Sequence, residues 1–291
     1  MMQVHRLKSR LLKNNPLGDP TERDLLVYLP PSYDPARRYP ALLGLVGFTG
    51  TGSMLFNEDP LGESLHRKLD RLITTRKMPP VIVAAPDCFN RLGGSQYINS
   101  TAIGRYEDYL LKEAIPFIEK TYRVSRWGVF GKSSGGYGAI VLGMRNPDVF
   151  QALADHSGDS CFELGYLPDF PKALDAWRGA GGPATWLKRF WADDNRRRKG
   201  HLDPLNMLAM SAHYSPNPRS PHLGIDFPFD LETGEFRPEV WKRWRAWDPV
   251  NMVARYTKNL KKLRLIYVDC GDKDEFRLHW GARALVHALR Q

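Results

Sequence analysis

Residues 131–135, Gly-Lys-Ser-Ser-Gly, match the patterns of two different kinds of chemistry. Glycine, lysine and serine in succession end the G-x-x-x-x-G-K-[ST] loop, whose backbone amides and lysine bind the phosphates of a nucleotide. The same residues match G-x-S-x-G, a sharp strand-to-helix turn that presents a nucleophilic serine. The residues on either side decide between the two chemistries.

The phosphate-binding interpretation fails on spacing. The loop requires a glycine five residues before Gly131, and that position is Arg126. The apolar residues 127–130 predict a strand, which leaves no loop to wrap a phosphate. The sequence therefore does not predict a nucleotide site.

The turn that presents a nucleophile fits on both sides of one serine. Such a strained turn requires small residues two positions before and two positions after the nucleophile. Gly131 and Gly135 hold those positions around Ser133, whereas Ser134 would have Lys132 at the first of them. A helical pattern begins at once, so its N-terminal amides would point toward the serine. We therefore predict that Ser133 is the nucleophile.

Five short apolar segments predict the strands that would position this turn. They span residues 41–48, 81–87, 127–131, 149–158 and 263–271. Their continuous apolar character is typical of strands covered on both faces. Helical patterns lie between them, over residues 61–76, 104–122, 136–145 and 275–290. This alternation predicts an α/β fold with a mainly parallel sheet flanked by helices. Residues 3–12 and 24–29 alternate more and predict an antiparallel edge.

Residues 159–250 interrupt this alternation with clusters of proline and glycine and with six of the eight tryptophans. A long excursion between two strands predicts an irregular cap inserted over the edge of the sheet. The core would then consist of residues 1–158 and 251–291. The tryptophans would form the cap's own small core or, alternatively, an aromatic platform for a ligand.

Several segments resemble the putative-esterase branch of the α/β-hydrolases. They are VYLPPSYD (27–34), RYPALLGLVGFTGTG (38–52), PPVIVAAPDCFNRLGGSQYINS (79–100), GKSSGGYGA (131–139) and DCGDKDEF (269–276). That branch includes S-formylglutathione hydrolases, enterochelin esterases, feruloyl esterases and mycolyltransferases. The resemblance implies an α/β-hydrolase fold. It also implies cleavage of small carboxylic esters or thioesters through a Ser-His-Asp triad and an acyl-enzyme, without a cofactor.

The resemblance also implies roles for individual residues. Ser133 would be the nucleophile, and the backbone N–H groups of Ser134 and Phe48 would form the oxyanion hole. The Phe48 position follows from the family's pattern in the turn after the strand at 41–47. A plain glycine turn is the alternative for Gly47–Gly50.

The acid of the triad should follow the strand at 263–269. The family's G-x-x-D-x-F pattern falls on residues 271–276 and implies Asp274. Asp272 is the alternative, but Glu275 lies three residues beyond it, a spacing that would let Asp272 cap the last helix. Asp159, after the strand at 149–158, is a further alternative.

No histidine holds the position that the family assigns to the base. In chain order this histidine follows the acid, beyond a helix and a final strand. Only 17 residues follow Asp274, and a helical pattern occupies nearly all of them. We therefore expect either that the C-terminal strand is missing and the base lies beyond Gln291, or that the standard base is absent. Such a chain would be nearly inactive as an esterase. None of the eight histidines is favoured as a substitute for that base, and His279, on the last helix, is the one closest in sequence to the acid.

Composition argues against other classes of function. The net charge of +10 is spread along the chain, apart from the short basic run at 196–199, whereas a nucleic-acid-binding module concentrates its basic residues. No apolar run approaches the ~20 residues of a membrane span, and no HExxH motif predicts a catalytic metal. Three cysteines without a CxxC pair predict inert thiols and fit a cytoplasmic location. A non-catalytic ligand-binding protein on the same fold remains the alternative to an esterase.

Overall fold

The apolar segments predicted from the sequence form strands in a computed structural model that describes residues 1–291. The strands are β1 (Met2–Lys8), β2 (Glu22–Tyr28), β3 (Tyr39–Leu45), β4 (Ile82–Pro86), β5 (Asn99–Ser100), β6 (Gly104–Arg105), β7 (Val124–Lys132), β8 (Phe150–His156) and β9 (Leu265–Asp269). Seven of them form one sheet in the order β1-β2-β4-β3-β7-β8-β9, and β5 and β6 form a separate ribbon.

The helical patterns form helices that connect these strands. The helices are α1 (Leu65–Thr74), α2 (Tyr106–Tyr109), α3 (Ile115–Thr121), α4 (Ser134–Arg145), α5 (Phe162–Gly165), α6 (Phe170–Ala180), α7 (Pro183–Ala192), α8 (Leu202–Tyr214), α9 (Pro238–Arg245), α10 (Pro249–Leu260) and α11 (Leu278–Leu289). Short 3-10 turns occupy Gly52–Phe56 and Leu167–Asp169.

The pairing confirms the predicted α/β architecture. Neighbouring strands from β4 across to β9 run parallel to each other. At the other edge β1 and β2 are antiparallel to each other, and β2 is antiparallel to β4. Parallel pairing places the C-terminal ends of β3, β7, β8 and β9 along one edge, which is where open α/β sheets bind ligands.

The two faces of the sheet carry cores of very different size. Because successive strand residues point to opposite faces, Leu43 and Ala84 enter a core of 58 buried residues, whereas Val83 enters a core of only seven. The large core includes α4 and the helices of segment 159–250, and the small core lies under α1. On β9, Leu265 and Tyr267 remain 55% and 46% exposed.

The predicted helix at 104–122 is continuous but irregular. It begins as α2, passes through one π-helical turn at Leu110–Ala114, and continues as α3. Pro116 lies directly after this turn, and a proline has no N–H to donate to the preceding turn. The wider π-helical turn therefore accommodates Pro116 within the helix.

The segment 159–250 is more helical than the sequence predicts. It contains α5 to α9 and the start of α10, and its two long stretches without helices lie between α7 and α8 and between α8 and α9. The prolines there begin helices: Pro183, Pro238 and Pro249 each occupy the first turn, where a missing N–H has no cost. Gly181 ends α6 in a left-handed conformation, at φ 87°. The prolines and the glycine named here, which in the sequence suggest interrupted structure, therefore lie at helix boundaries.

One edge of the sheet consists of β9, which pairs only with β8. The residues after β9 form α11 and no further strand, as the sequence predicts. The backbone groups on the outer side of β9 therefore have no partner strand among residues 1–291.

Candidate active site

Ser133 lies in a strained turn between the end of β7 and the start of α4. Its φ of 58° and ψ of −125° belong to a region that residues with a Cβ rarely adopt. The predicted need for small neighbours has a direct cause here. A Cβ on Gly131 would lie 2.2 Å from the carbonyl oxygen of Gly135, and a Cβ on Gly135 would lie 2.2 Å from that of Leu45.

Helix α4 holds this turn from behind. Its residues from Ser134 to Met144 are all buried, so the helix runs through the large core instead of over it. A helix enclosed on every side cannot shift without opening the core. The strained serine is therefore fixed relative to the sheet.

The turn after β3 packs directly against Ser133. A Cβ on Gly47 would lie 3.3 Å from Ser133 Cβ and 3.8 Å from its Oγ. Two bonds hold this turn in place: the Tyr97 hydroxyl donates to the Val46 carbonyl at 2.6 Å, and the Thr49 amide donates to the Gly93 carbonyl at 2.7 Å.

The backbone amides of Phe48 and Ser134 belong to the residues that directly follow Gly47 and Ser133, which pack against each other. Neither amide donates a hydrogen bond within the chain, although most buried backbone donors are satisfied. Two unpaired amides beside a serine hydroxyl are able to bind an oxygen atom that carries negative charge.

These groups open into a cavity of about 1190 Å³. The cavity is bordered by residues from the ends of β3, β7 and β8, from the segment 159–250, and from the loop after β9. Among the predicted site residues it brings together Phe48, Ser133, Ser134, Asp159 and Asp274. Asp272 and His279 do not border it.

Asp274 borders the cavity, but its hydrogen bonds go to the start of the last helix. Its Oδ1 accepts the backbone N–H groups of Phe276 at 2.9 Å and Leu278 at 3.1 Å. The helix-capping role that the sequence suggests for Asp272 therefore belongs to Asp274. No hydrogen bond links Asp274 to a histidine.

Two buried carboxyl groups lie behind the turn. Asp159 accepts hydrogen bonds from Gln96 at 2.9 Å and from the Ser134 hydroxyl at 3.4 Å, and burial raises its pKa. Burial, and then the charge of Asp159, raises the pKa of Asp155 to about 7. Asp155 Oδ1 has no hydrogen-bond partner, and it occupies the space that a Cβ on Gly136 would need. Burial therefore makes the charged form of each acid less favourable than it is in water.

The pair formed by His156 and Asp269 is not predicted from the sequence. These residues end the neighbouring strands β8 and β9, where they lie directly opposite each other. His156 Nδ1 lies 2.7 Å from Asp269 Oδ1, and His156 is the histidine that borders the cavity. A histidine and an aspartate that end adjacent predicted strands are the signal that could have found the pair.

The tryptophans of segment 159–250 do not form an exposed platform. Trp177, Trp186, Trp241 and Trp244 are all buried and belong to the same large core as the sheet. Trp191 and Trp247 are partly buried against that core. These tryptophans therefore form neither the aromatic platform nor a separate small core.

The structure offers no metal site, no helix suited to a membrane and no disulfide. No group of three or more His, Cys, Asp or Glu side chains is placed to hold a metal ion. None of the helices combines the length and apolar character needed to cross a bilayer. The three cysteines form no disulfide, and burial raises the pKa of the Cys88 thiol, which makes it unreactive.

Comparisons with known proteins agree with this architecture. A family model described as "Putative esterase" matches residues 20–288. A solved ferulic acid esterase is similar over 100% of this chain and 85% of its own, with 20% identity and a TM-score of 0.58. An S-formylglutathione hydrolase from Agrobacterium tumefaciens matches over 100% and 93%, with 16% identity and a TM-score of 0.45. An enterobactin esterase from Shigella flexneri matches over 99% and 59%, with 15% identity and a TM-score of 0.44.

Proposed function

The chain belongs to the putative-esterase family of carboxylic ester hydrolases, and we propose that it cleaves its substrates through an acyl-enzyme on Ser133. One observation carries this proposal: a serine in a strained turn borders a cavity that is also lined by two residues, Phe48 and Ser134, whose backbone amides have no acceptor. A surface serine without a catalytic role, in an ordinary glycine turn, would be expected to have neither a strained backbone conformation nor unpaired amides nearby.

The proposed reaction uses these groups in order. Ser133 Oγ attacks the carbonyl carbon of the ester or thioester and loses its proton to a base. The carbonyl oxygen becomes an oxyanion, which accepts hydrogen bonds from the Phe48 and Ser134 amides. The intermediate collapses to an acyl-enzyme as the alcohol or thiol departs with a proton. A water molecule then attacks the acyl-enzyme, which releases the acid and restores Ser133.

Asp274 is the acid that the family's pattern assigns to the triad. Its position at the cavity supports a role there, whereas its two bonds to the α11 backbone direct one of its oxygens to the helix. We keep Asp274 in the proposal as a residue to be tested against Asp269.

The proposed substrates are small-molecule esters or thioesters. The cavity of about 1190 Å³ is somewhat larger than the range of about 300–1,000 Å³ that is usual for small-ligand sites. Part of its wall comes from Tyr166, Leu202 and Asn206. We propose that this wall, contributed by the segment 159–250, selects the acyl or alcohol group. A cytoplasmic location is a further part of the proposal, which three thiols without a disulfide support.

A non-catalytic binding protein is the less favoured alternative. It would bind ligands on the tryptophans of the segment 159–250, but four of those six side chains are buried in the core.

Covalent labelling tests the proposed nucleophile. The full chain is incubated with a fluorophosphonate, and the modified peptide is identified by mass spectrometry. We expect the adduct on Ser133, none on Ser133→Ala, and retained labelling of Ser133 in Ser134→Ala, because the Ser134 contribution is a backbone amide. An adduct on Ser134, or no adduct at all, would contradict the proposal.

A further inference from the structure

The ends of three strands are joined beside Ser133 by backbone hydrogen bonds. The Ser133 amide donates to the His156 carbonyl at 2.9 Å, and the Ser157 amide donates to the Asp269 carbonyl at 2.8 Å. In the sheet, His156 lies opposite both Lys132 and Asp269. Because Lys132 directly precedes Ser133, the backbone of the nucleophile and that of His156 are fixed next to each other.

The side chain of His156 has the arrangement of a base held by a carboxylate. Its Nδ1 lies 2.7 Å from Asp269 Oδ1. A neutral imidazole that donates from Nδ1 to a carboxylate keeps a lone pair on Nε2. Nε2 makes no hydrogen bond within the chain, and the side chain borders the cavity that contains Ser133.

Asp269 is itself held by a second residue of β9. The Tyr267 hydroxyl donates to Asp269 Oδ2 at 3.0 Å, so Oδ1 remains available to His156. The rings of Tyr267 and His156 lie 5.6 Å apart between centroids. Tyr267, Asp269 and His156 therefore form a chain of polar contacts that ends at the cavity.

We propose that His156 is the general base for Ser133 and that Asp269 positions it; this rests on the function proposed above. His156 Nε2 takes the proton of the Ser133 hydroxyl as Oγ attacks the carbonyl carbon. The same nitrogen returns that proton to the departing alcohol or thiol. It then takes a proton from the water that attacks the acyl-enzyme, and Ser133 Oγ receives this proton when the acid leaves.

The other histidines lack this arrangement. His279 lies on α11 and does not border the cavity. His213 is fully buried, its Nε2 is bonded to the Gly94 carbonyl, and burial lowers its pKa to about 3. The Ser133 hydroxyl has no hydrogen bond in the chain, and bonds of this kind often close only when substrate is bound.

The test measures hydrolysis of an activated aryl acetate by the full chain and its variants. We expect His156→Ala to lower kcat by about 10²–10⁴-fold, the usual contribution of a general base, while Ser133 stays in place. Added imidazole should restore part of the activity of His156→Ala and none of that of Ser133→Ala, because only the first variant lacks a base and keeps the nucleophile. His279→Ala is the matched control and should retain the activity of the parent chain.

The positioning role of Asp269 has its own comparison. Asp269→Asn should lower kcat more than Asp274→Asn does and leave KM nearly unchanged, since it disturbs the base and not the binding of substrate. Asp272→Asn, an exposed carboxylate of the same loop, is the control. Thermal unfolding of each variant separates loss of the base from loss of the fold.

The outcomes distinguish this inference from the proposed function. If the parent chain hydrolyses the ester and labels on Ser133 but His156→Ala is equally fast, the inference is wrong and the proposed function stands. Loss of activity in His156→Ala without rescue by imidazole would also contradict it. If the parent chain is not labelled on Ser133 and does not hydrolyse the ester, both the inference and the proposed function are wrong.

Discussion

The backbone amide of Ser133 donates a hydrogen bond of 2.9 Å to the carbonyl oxygen of His156. This bond extends the pairing of β7 with β8 by one residue, into the turn where the strand has already ended. The conformation of the serine and the position of the neighbouring strand end are therefore coupled. Variants around this bond should affect both the stability of the fold and the reactivity of the site.

The close packing of the turn predicts a large effect of Gly135→Ala. The added Cβ would lie 2.2 Å from the Leu45 carbonyl oxygen, and backbone on both sides cannot move aside. We expect the free energy of unfolding to fall by several kcal/mol, as for other overpacked buried positions. Urea denaturation measures this fall in the free energy of unfolding. Gly179→Ala, where a Cβ on α6 meets nothing within 4 Å, should instead be neutral or stabilising by about 0.5–1 kcal/mol. Equal effects of the two variants would contradict the interpretation.

Gly47→Ala should lower catalysis more than stability. Its Cβ would lie 3.3 Å from Ser133 Cβ and 3.4 Å from the Lys132 carbonyl oxygen, so the turn carrying the Phe48 amide must move by a few tenths of an ångström. A donor displaced from the oxyanion costs up to about 10²–10³-fold in kcat when it is lost entirely. We expect a loss of roughly tenfold in kcat. Gly165→Ala, at the same cavity but with free space for a Cβ, is the control. A kcat unchanged in Gly47→Ala would argue against the oxyanion role of this turn.

Asp155 should make the protein less stable as the pH rises. Its pKa is raised from 3.8 to about 7, so the folded state keeps a proton that the unfolded state has released. Stability is therefore highest below about pH 4 for this group and declines until the folded-state pKa is passed. We expect Asp155→Asn, which cannot ionise, to be more stable than the parent chain at pH 8 by a few kcal/mol. At pH 4 the difference should be small.

Urea denaturation at the two pH values measures this difference. The control is Asp272→Asn at the surface. It should change the free energy of unfolding by the same small amount at both pH values. A parent chain that is as stable as Asp155→Asn at pH 8 would contradict the prediction.

Asp248 should be one of the most costly carboxylates to remove. Its Oδ1 accepts the amides of Cys161 and Val250, and its Oδ2 accepts that of Phe162. It thereby caps α10 and holds the start of α5 at the same time. Asp248→Ala leaves these amides without their acceptor, at about 1–3 kcal/mol for each buried donor. We expect a fall in the free energy of unfolding of several kcal/mol by urea denaturation. Asp175→Ala, on the surface of α6, should change it by less than about 0.5 kcal/mol.

The sheet and the tight turn at Ser133 could be predicted because local patterns determine them. Continuous apolar segments such as 127–131 become strands wherever helices cover both faces, and the glycines at 131 and 135 are required by contacts with backbone a few residues away. The helices of segment 159–250 could not be predicted in the same way. A proline such as Pro238 breaks a helix or begins one according to its position, and the sequence alone does not give that position.

The pair of His156 and Asp269 depends on a relationship that no local pattern contains. The two residues are 113 positions apart and meet only because β9 returns to pair with β8 in a particular register. The capping of α11 illustrates the same limit. Both Asp272 and Asp274 are able to cap a helix, and the residue that does so is decided by where α11 begins, at Leu278.

The positive φ of Ser133 implies that catalytic activity and thermal stability oppose each other in this protein. A residue with a Cβ held at φ 58° and ψ −125° costs the folded state on the order of 1–3 kcal/mol. Glycine adopts positive φ without that cost, so Ser133→Gly should unfold at a higher temperature while losing the nucleophile. The strain at Ser133 is therefore a cost in stability that accompanies the proposed nucleophile and disappears when its side chain is removed.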